Sequence, residues 1–197
     1  MKWTNHKIFL IIMLSLWLMD SYGQKLKYNV YLMGDKIGET TIERKDSAGL
    51  KVYSLHSNTD AKVLFVEKKS AMCTNVLYDK DGRLFCSFFK NIKNDDTFLT
   101  KVFWDNNKLM VDKDGEKSVL PVAVNFSSLL LYFSEPPNMQ KVFSERLGKF
   151  FEMVRQSDGT YLASLDGHSA VYTYKAGKLI ALEMKSTLGS VLMKLVE

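Results

Sequence analysis

Short alternating runs separated by Asp-Gly, Gly-Asp and Asn-rich turns recur along most of this chain, a grammar that leaves little room for anything but an antiparallel sheet. Leu26, Tyr28, Val30 and Leu32 alternate with Lys25, Lys27, Asn29 and Tyr31, so a strand here has one apolar face. Gly34-Asp35 turns the chain into Ile37 to Ile42, and a loop over Lys45 to Gly49 leads to Leu50 to Ser57. Ala61 to Tyr78 reads as one bent strand or two. Asp81-Gly82, Asp105 to Asn107, Asp114-Gly115, Asp158-Gly159, Asp166-Gly167 and Ala176-Gly177 punctuate the strands that follow. At the end, Leu188, Val191, Leu192 and Leu195 fit a helical face while Val191, Met193 and Leu195 fit a strand; a closing strand is the reading adopted.

One segment departs from the rhythm. Phe126, Leu129, Leu130 and Phe133 stand at i, i+3, i+4 and i+7, with Asn125 placed as an N-cap and Pro136-Pro137 as a stop. The expected fold is mainly β: one antiparallel curved sheet or half-barrel with one short helix packed on it. No linker or repeat divides the chain, so residues 24–197 are expected to form one domain.

The first residues carry an address. Lys2 and Lys7 precede the apolar run Ile8 to Met19, and Ser21-Tyr22-Gly23 offers small residues before a cut. That order is a secretory signal peptide over residues 1–23, cleaved between Gly23 and Gln24, with a periplasmic destination. The run is shorter than the ~20 residues a spanning helix needs, and a retained anchor is the alternative. Setting aside Lys2, Lys7 and Asp20 leaves 25 basic and 21 acidic side chains, a net charge of +4. The basic residues are dispersed, which argues against a nucleic-acid partner.

Chemistry is sparse. His56 and His168 lie far apart with no clustered Cys or acids, so neither metal nor cofactor is expected. His168 reads as a turn residue, His56 as a face or pocket residue of a strand. There is no G-x-S-x-G elbow or S-x-x-K motif, and a Cys-His pair has no local support. Gly34 and Gly38 read as a turn and a close backbone approach. Glu135 and Glu145 are the carboxylates weighed for general acid–base work, against a solvated loop role for Glu135 or its pairing with Arg146. No enzymatic activity is expected. Cys73 and Cys86 flank the Asp79 to Gly82 turn: with Tyr78 facing Arg83 they lie diagonally on one face and a disulfide is possible, whereas a one-residue shift forbids it.

The remaining signal is apolar. Phe85, Phe88, Phe89, Phe98, Phe103 and Trp104 crowd two successive strands, with Phe126 to Phe133 to lie over them. A filled core is one reading. The other is a groove for a lipid or other hydrophobic ligand, lined by Phe88, Phe98, Trp104, Leu130 and Phe133.

Tyr28-x-Val30-x3-Gly34-x2-Ile37-Gly38-Glu39 resembles the opening hairpin of exported proteins of unknown function from Bacteroidota and related Gram-negative bacteria. Leu131-Tyr132-Phe133-x-Glu135-Pro136, Val142-Phe143-Ser144-Glu145, Asp158-Gly159-x-Tyr161 and Tyr172-x-Tyr174 resemble an uncharacterised family of that group. The opening hairpin is more distantly similar to periplasmic proteins with the curved sheet of lipoprotein carriers. The resemblance implies a curved, lipid-accommodating sheet and brings no catalytic residues. The expected function is therefore an exported, non-catalytic protein that binds or carries an apolar ligand. The alternative is an envelope-associated protein–protein interaction domain without small-molecule cargo.

Overall fold

The computed structural model describes residues 23–47, 49–63, 66–136, 141–165, 167–186 and 189–196. Residues 1–22 of the expected leader lie outside them, as do residues 64–65, whereas Gly23 and Gln24, which flank the expected cut, are described.

The chain forms β1 (Gly23–Leu32), β2 (Asp35–Ser47), β3 (Leu50–Val63), β4 (Val66–Tyr78), β5 (Leu84–Lys93), β6 (Asp96–Asp105), β7 (Lys108–Lys113) and β8 (Glu116–Leu120). After a connection come β9 (Lys141–Ser144), β10 (Lys149–Arg155), β11 (Tyr161–Leu165), β12 (His168–Lys175), β13 (Lys178–Ser186) and β14 (Gly189–Leu195). All belong to one antiparallel sheet in the order β8-β7-β6-β5-β4-β3-β2-β1-β14-β13-β12-β11-β10-β9. The meander therefore starts at the middle, runs out to one edge, crosses to the other edge and returns to close against its own beginning. The closing strand β14 is as expected, and the run from Ala61 to Tyr78 divides between the end of β3 and β4.

Local chemistry explains the hairpins. Asn106-Asn107 and Asp114-Gly115 place both turn residues at positive φ, the conformation whose twist matches a two-residue hairpin. Pairing slips at Val30/Tyr31, Leu77/Tyr78 and Thr173/Tyr174, and such bulges sharpen local twist and bend. The sheet curves but does not close, since β8 and β9 each have one neighbour.

The inner face is apolar and covered from within the chain. Leu26, Tyr28, Ile42, Tyr53, Leu55, Val76, Tyr78 and Val102 are buried there together with Val124, Leu129, Leu131 and Tyr132 of the connection. Tyr132 packs edge-on against Tyr28 with ring centroids 5.4 Å apart, and Phe133 packs against Tyr53 at 5.4 Å. The Tyr174 hydroxyl donates to the Leu131 carbonyl at 2.9 Å.

The helix expected here shrinks to a single 3-10 turn, Leu130–Tyr132. Its first half is drawn elsewhere: Ser127 bridges Phe143 of β9, and the Ser128 N–H donates to the Phe143 carbonyl at 2.8 Å. Serine hydroxyls that find better partners outside a helix commonly end it. The turn between β9 and β10 reaches across to β6, where the Thr100 hydroxyl donates to the Arg146 carbonyl at 2.8 Å.

Candidate binding surface

Inside the sheet, the most constrained polar group is Glu145, 2 % exposed in the β9–β10 turn. The Ser127 hydroxyl donates to Glu145 Oε1 at 2.5 Å, the Ser128 hydroxyl donates to Oε2, and the Leu129 N–H reaches Oε1 at 3.2 Å. Tyr78 of β4 donates to Ser127 Oγ at 2.7 Å. Burial pushes the Glu145 carboxyl above the ordinary glutamate value despite these donors. Burial likewise raises Tyr78, Tyr132 and Tyr172, with the Glu145 charge adding to each. Both carboxyl oxygens are engaged by the chain, so this node ties the connection, the β9–β10 turn and β4 together. Glu135 stands apart from it and accepts from the Tyr161 hydroxyl at 3.2 Å.

The outer face divides by chemistry. Over β1 and β2 it is ion-paired: Lys25–Glu43 at 2.9 Å, Lys27–Glu39 at 2.7 Å and Lys36–Glu39 at 2.7 Å. Over β3 to β8 one cross-strand row of it is apolar. Val52 pairs Leu77, Leu77 pairs Cys86, Phe103 pairs Met110 and Met110 pairs Val119. Ser87 pairs Val102, which brings Cys86 beside Phe103 and makes the row continuous. Strands spaced about 4.8 Å apart make this stripe roughly 24 Å long across six strands. Phe85 at 53 % and Val119 at 51 % exposure are its most accessible members, and Leu50 and Val52 are also exposed. Trp104 lies in the inward row opposite Leu109, 42 % exposed at the end of β6, with its indole N–H donating to the Leu84 carbonyl at 3.1 Å. A contiguous exposed apolar surface, unlike single exposed residues, marks an interaction site.

The five residues expected to line one groove do not converge. Leu130 and Phe133 are half-buried in the connection and packed on the core. Phe88 is half-buried on the outer face of β5, next to the stripe, whereas Trp104 lies in the inward row opposite Leu109. Phe98 stands at the other end of β6, six residues and therefore about 20 Å from Trp104. The Phe-rich strands are thus split between faces, with Phe89 buried inside and Phe85 exposed outside.

Cys73 and Cys86 are free thiols. Tyr78 faces Leu84, not Arg83, and the bulge at Leu77/Tyr78 shifts the pairing so that Cys86 faces Leu77 while Cys73 faces Lys90. Four residues of β4 separate the two positions, about 13 Å of strand, beyond disulfide reach. Folding does set His56 opposite Cys73 on the outer face, a pairing invisible in sequence. Among the described residues no three His, Cys, Asp or Glu side chains gather into a metal-holding group.

A depression of about 320 Å³ at the far ends of β3 to β5 is bounded by Asn58, Asp60, Lys69 and Ile92. Lys69 there is held by Glu67 at 2.9 Å and Asp60 at 3.8 Å.

Gly38 meets the sequence expectation of a close approach: a Cβ there would stand 2.0 Å from the Asn58 carbonyl oxygen. Val52, Leu77 and Val119 were not singled out by sequence reasoning. Their alternation was visible, but alternation alone does not say which face is inward.

The model of DUF6134, described as a domain of unknown function, matches residues 28–196. The chain is also similar to a solved structure described as a beta-barrel-like protein of domain of unknown function DUF1849 from Brucella abortus. Identity is 13 %, coverage is 90 % of this chain and 96 % of that one, and the TM-score is 0.57. At that identity the likeness shows the fold alone. No curated protein matches the chain.

Proposed function

The chain belongs to DUF6134, and from that premise we propose an exported, non-catalytic protein that binds a lipid or another apolar partner on the outside of its curved sheet. The observation that carries this reading is the continuous apolar row from Val52 to Val119. The inner face speaks for it by contrast, because the chain's own Leu129, Leu131 and Tyr132 occupy it. A ligand seated inside would have to displace a connection anchored through Glu145.

An apolar fluorescent probe tests the reading. Phe85→Asp with Val119→Asp is expected to reduce probe binding about tenfold while the far-ultraviolet spectrum stays unchanged, since both side chains already face water. Phe133→Asp, by contrast, is expected to lower stability. Unchanged probe binding in the double variant would remove the stripe as the site.

A second reading takes a protein chain as partner. It draws on β8, an edge strand with one neighbour, whose unpaired backbone groups are a template for strand addition. Crosslinking in cells would then trap a partner through β8, and native mass spectrometry would find no small-molecule cargo.

A further inference from the structure

The β3–β4 hairpin brings two metal-ligating side chains face to face. Its register pairs Leu55 with Thr74, His56 with Cys73 and Ser57 with Met72. Leu55, Thr74 and Ser57 are buried on the inner face, so the alternate pair, His56 and Cys73, stands on the outer one. Directly opposed residues of an antiparallel pair have Cβ atoms about 4.5–5.5 Å apart. His56 is exposed and Cys73 half-buried, and the thiol is free.

The ground around the pair is low. Ser54 and Asn58 flank His56 on the outer face of β3, and Ala71 and Asn75 flank Cys73 on β4, so neither strand lays a long side chain over them. Thr41 of β2 faces His56 from the other side, and Lys90 of β5 faces Cys73. The Lys90 stem is long enough to carry its ammonium out to solvent and away from the sulfur.

The donor set selects among metals. The nearest carboxylates on this face, Glu39 and Glu43, stand opposite Asn58 and Ser54, diagonal to His56. Both are already engaged: Glu39 by Lys27 and Lys36 at 2.7 Å each, and Glu43 by Lys25 at 2.9 Å. Cys86 faces Leu77, four positions along β4 from Cys73, about 13 Å away. Among the described residues no third His, Cys, Asp or Glu joins the pair, so the four protein ligands of a structural zinc site are not assembled. One imidazole nitrogen and one thiolate sulfur are donors for a soft cation. With bonds of about 2.0–2.3 Å to nitrogen and sulfur, a metal held in line between them needs donors about 4.3 Å apart, a span that opposed side chains on neighbouring strands can supply.

We propose that His56 and Cys73 form a two-ligand site for a soft, closed-shell monovalent cation of the copper(I) class. Binding breaks the Cys73 S–H bond and its proton passes to solvent. The sulfur and the imidazole each donate an electron pair to the metal, and no electron is transferred. The pair lies four positions along β3 and β4 from Val52 and Leu77, about 13 Å, so the site does not depend on what the apolar stripe binds.

The test offers copper(I), held by bicinchoninate without oxygen, to the protein and follows the colour lost as metal leaves the chelator. Cys86→Ser serves as the parent, because the chain has two cysteines and this leaves Cys73 as its one thiol. The parent is expected to take up one equivalent, and X-ray absorption of the loaded protein to show one sulfur and one nitrogen on copper. Adding His56→Ala to it should weaken binding about tenfold or more. Cys73→Ser in the otherwise unchanged chain keeps Cys86, which has no histidine opposite it, and should bind no better than that His56 variant. All these side chains lie on the outer face, so the far-ultraviolet spectrum is expected to stay that of the parent. No colour loss with the parent would overturn the proposal. So would an affinity that His56→Ala leaves unchanged, or equal uptake by Cys73→Ser, since a thiol alone would then account for the binding.

Discussion

A Cβ on Gly38 would stand 2.0 Å from the Asn58 carbonyl oxygen and 2.8 Å from Thr59 Cα, so any side chain there must push β2 from β3. Gly38→Ala is expected to lower the unfolding free energy by about 2–4 kcal/mol, read by denaturant titration. Ser87 presents the opposite case: its buried hydroxyl has no hydrogen-bond partner among the described residues. Removing an unpaired buried hydroxyl relieves a desolvation cost, so Ser87→Ala should stabilise by up to about 1 kcal/mol. Glu145 supplies a pH signature. Its carboxyl is raised above the ordinary value of 4.5, so the folded protein holds this proton more tightly than the unfolded chain. Its stabilising share is full below pH 4.5 and is lost as pH rises through the folded value. Glu145→Gln should flatten that fall, measured as the difference in stability between variant and parent across pH. Gly38 was legible in sequence as a close approach. The Glu145 node was not, because Ser127 and Ser128 lie 18 and 17 positions away and only folding brings them together.

Elements were most legible where turn chemistry was strong. Asp114-Gly115 and Asn106-Asn107 marked hairpins that the structure contains. The segment from Phe126 to Phe133 misled, because helical spacing of apolar residues also suits an irregular segment laid across a core. Its backbone answers to β9 and its serines to Glu145, leaving one 3-10 turn. The β4–β5 hairpin shows how one bulge changes chemistry: it keeps Cys73 and Cys86 on the outer face but lengthens their separation from two positions to four. The mass of the folded protein should therefore be the same with and without reductant, and unfolding should expose two alkylatable thiols. The β9–β10 turn offers another test. A Cβ on Gly148, which has φ of +66°, would lie 2.4 Å from Val111 Cγ1. Gly148→Ala should loosen this turn from β6 and β7, read as faster amide exchange over residues 142–148 and 100–111.

At the scale of the whole molecule, the earliest and latest strands pair at the centre, with Tyr28 opposite Leu195. Such distant pairing carries a loop-closure cost that is recovered only late in folding. Truncation after Ser186, which removes β14, would leave β1 and β13 as new edges. The expected result is loss of the cooperative unfolding transition, followed by circular dichroism. The sequence by itself determined the strand-and-turn rhythm, the alternation within each strand and the apolar run ahead of Gln24, because turns and period-two patterns depend on neighbours in the chain. Tertiary structure decided which alternating face became the interior. Residues from Val124 to Phe133 cover the inner side of the curved sheet, so Tyr53 and Tyr78 are enclosed while Phe85 and Val119 remain outside. Period two distinguishes two faces but gives neither one a partner, and burial depends on what the rest of the chain lays against it.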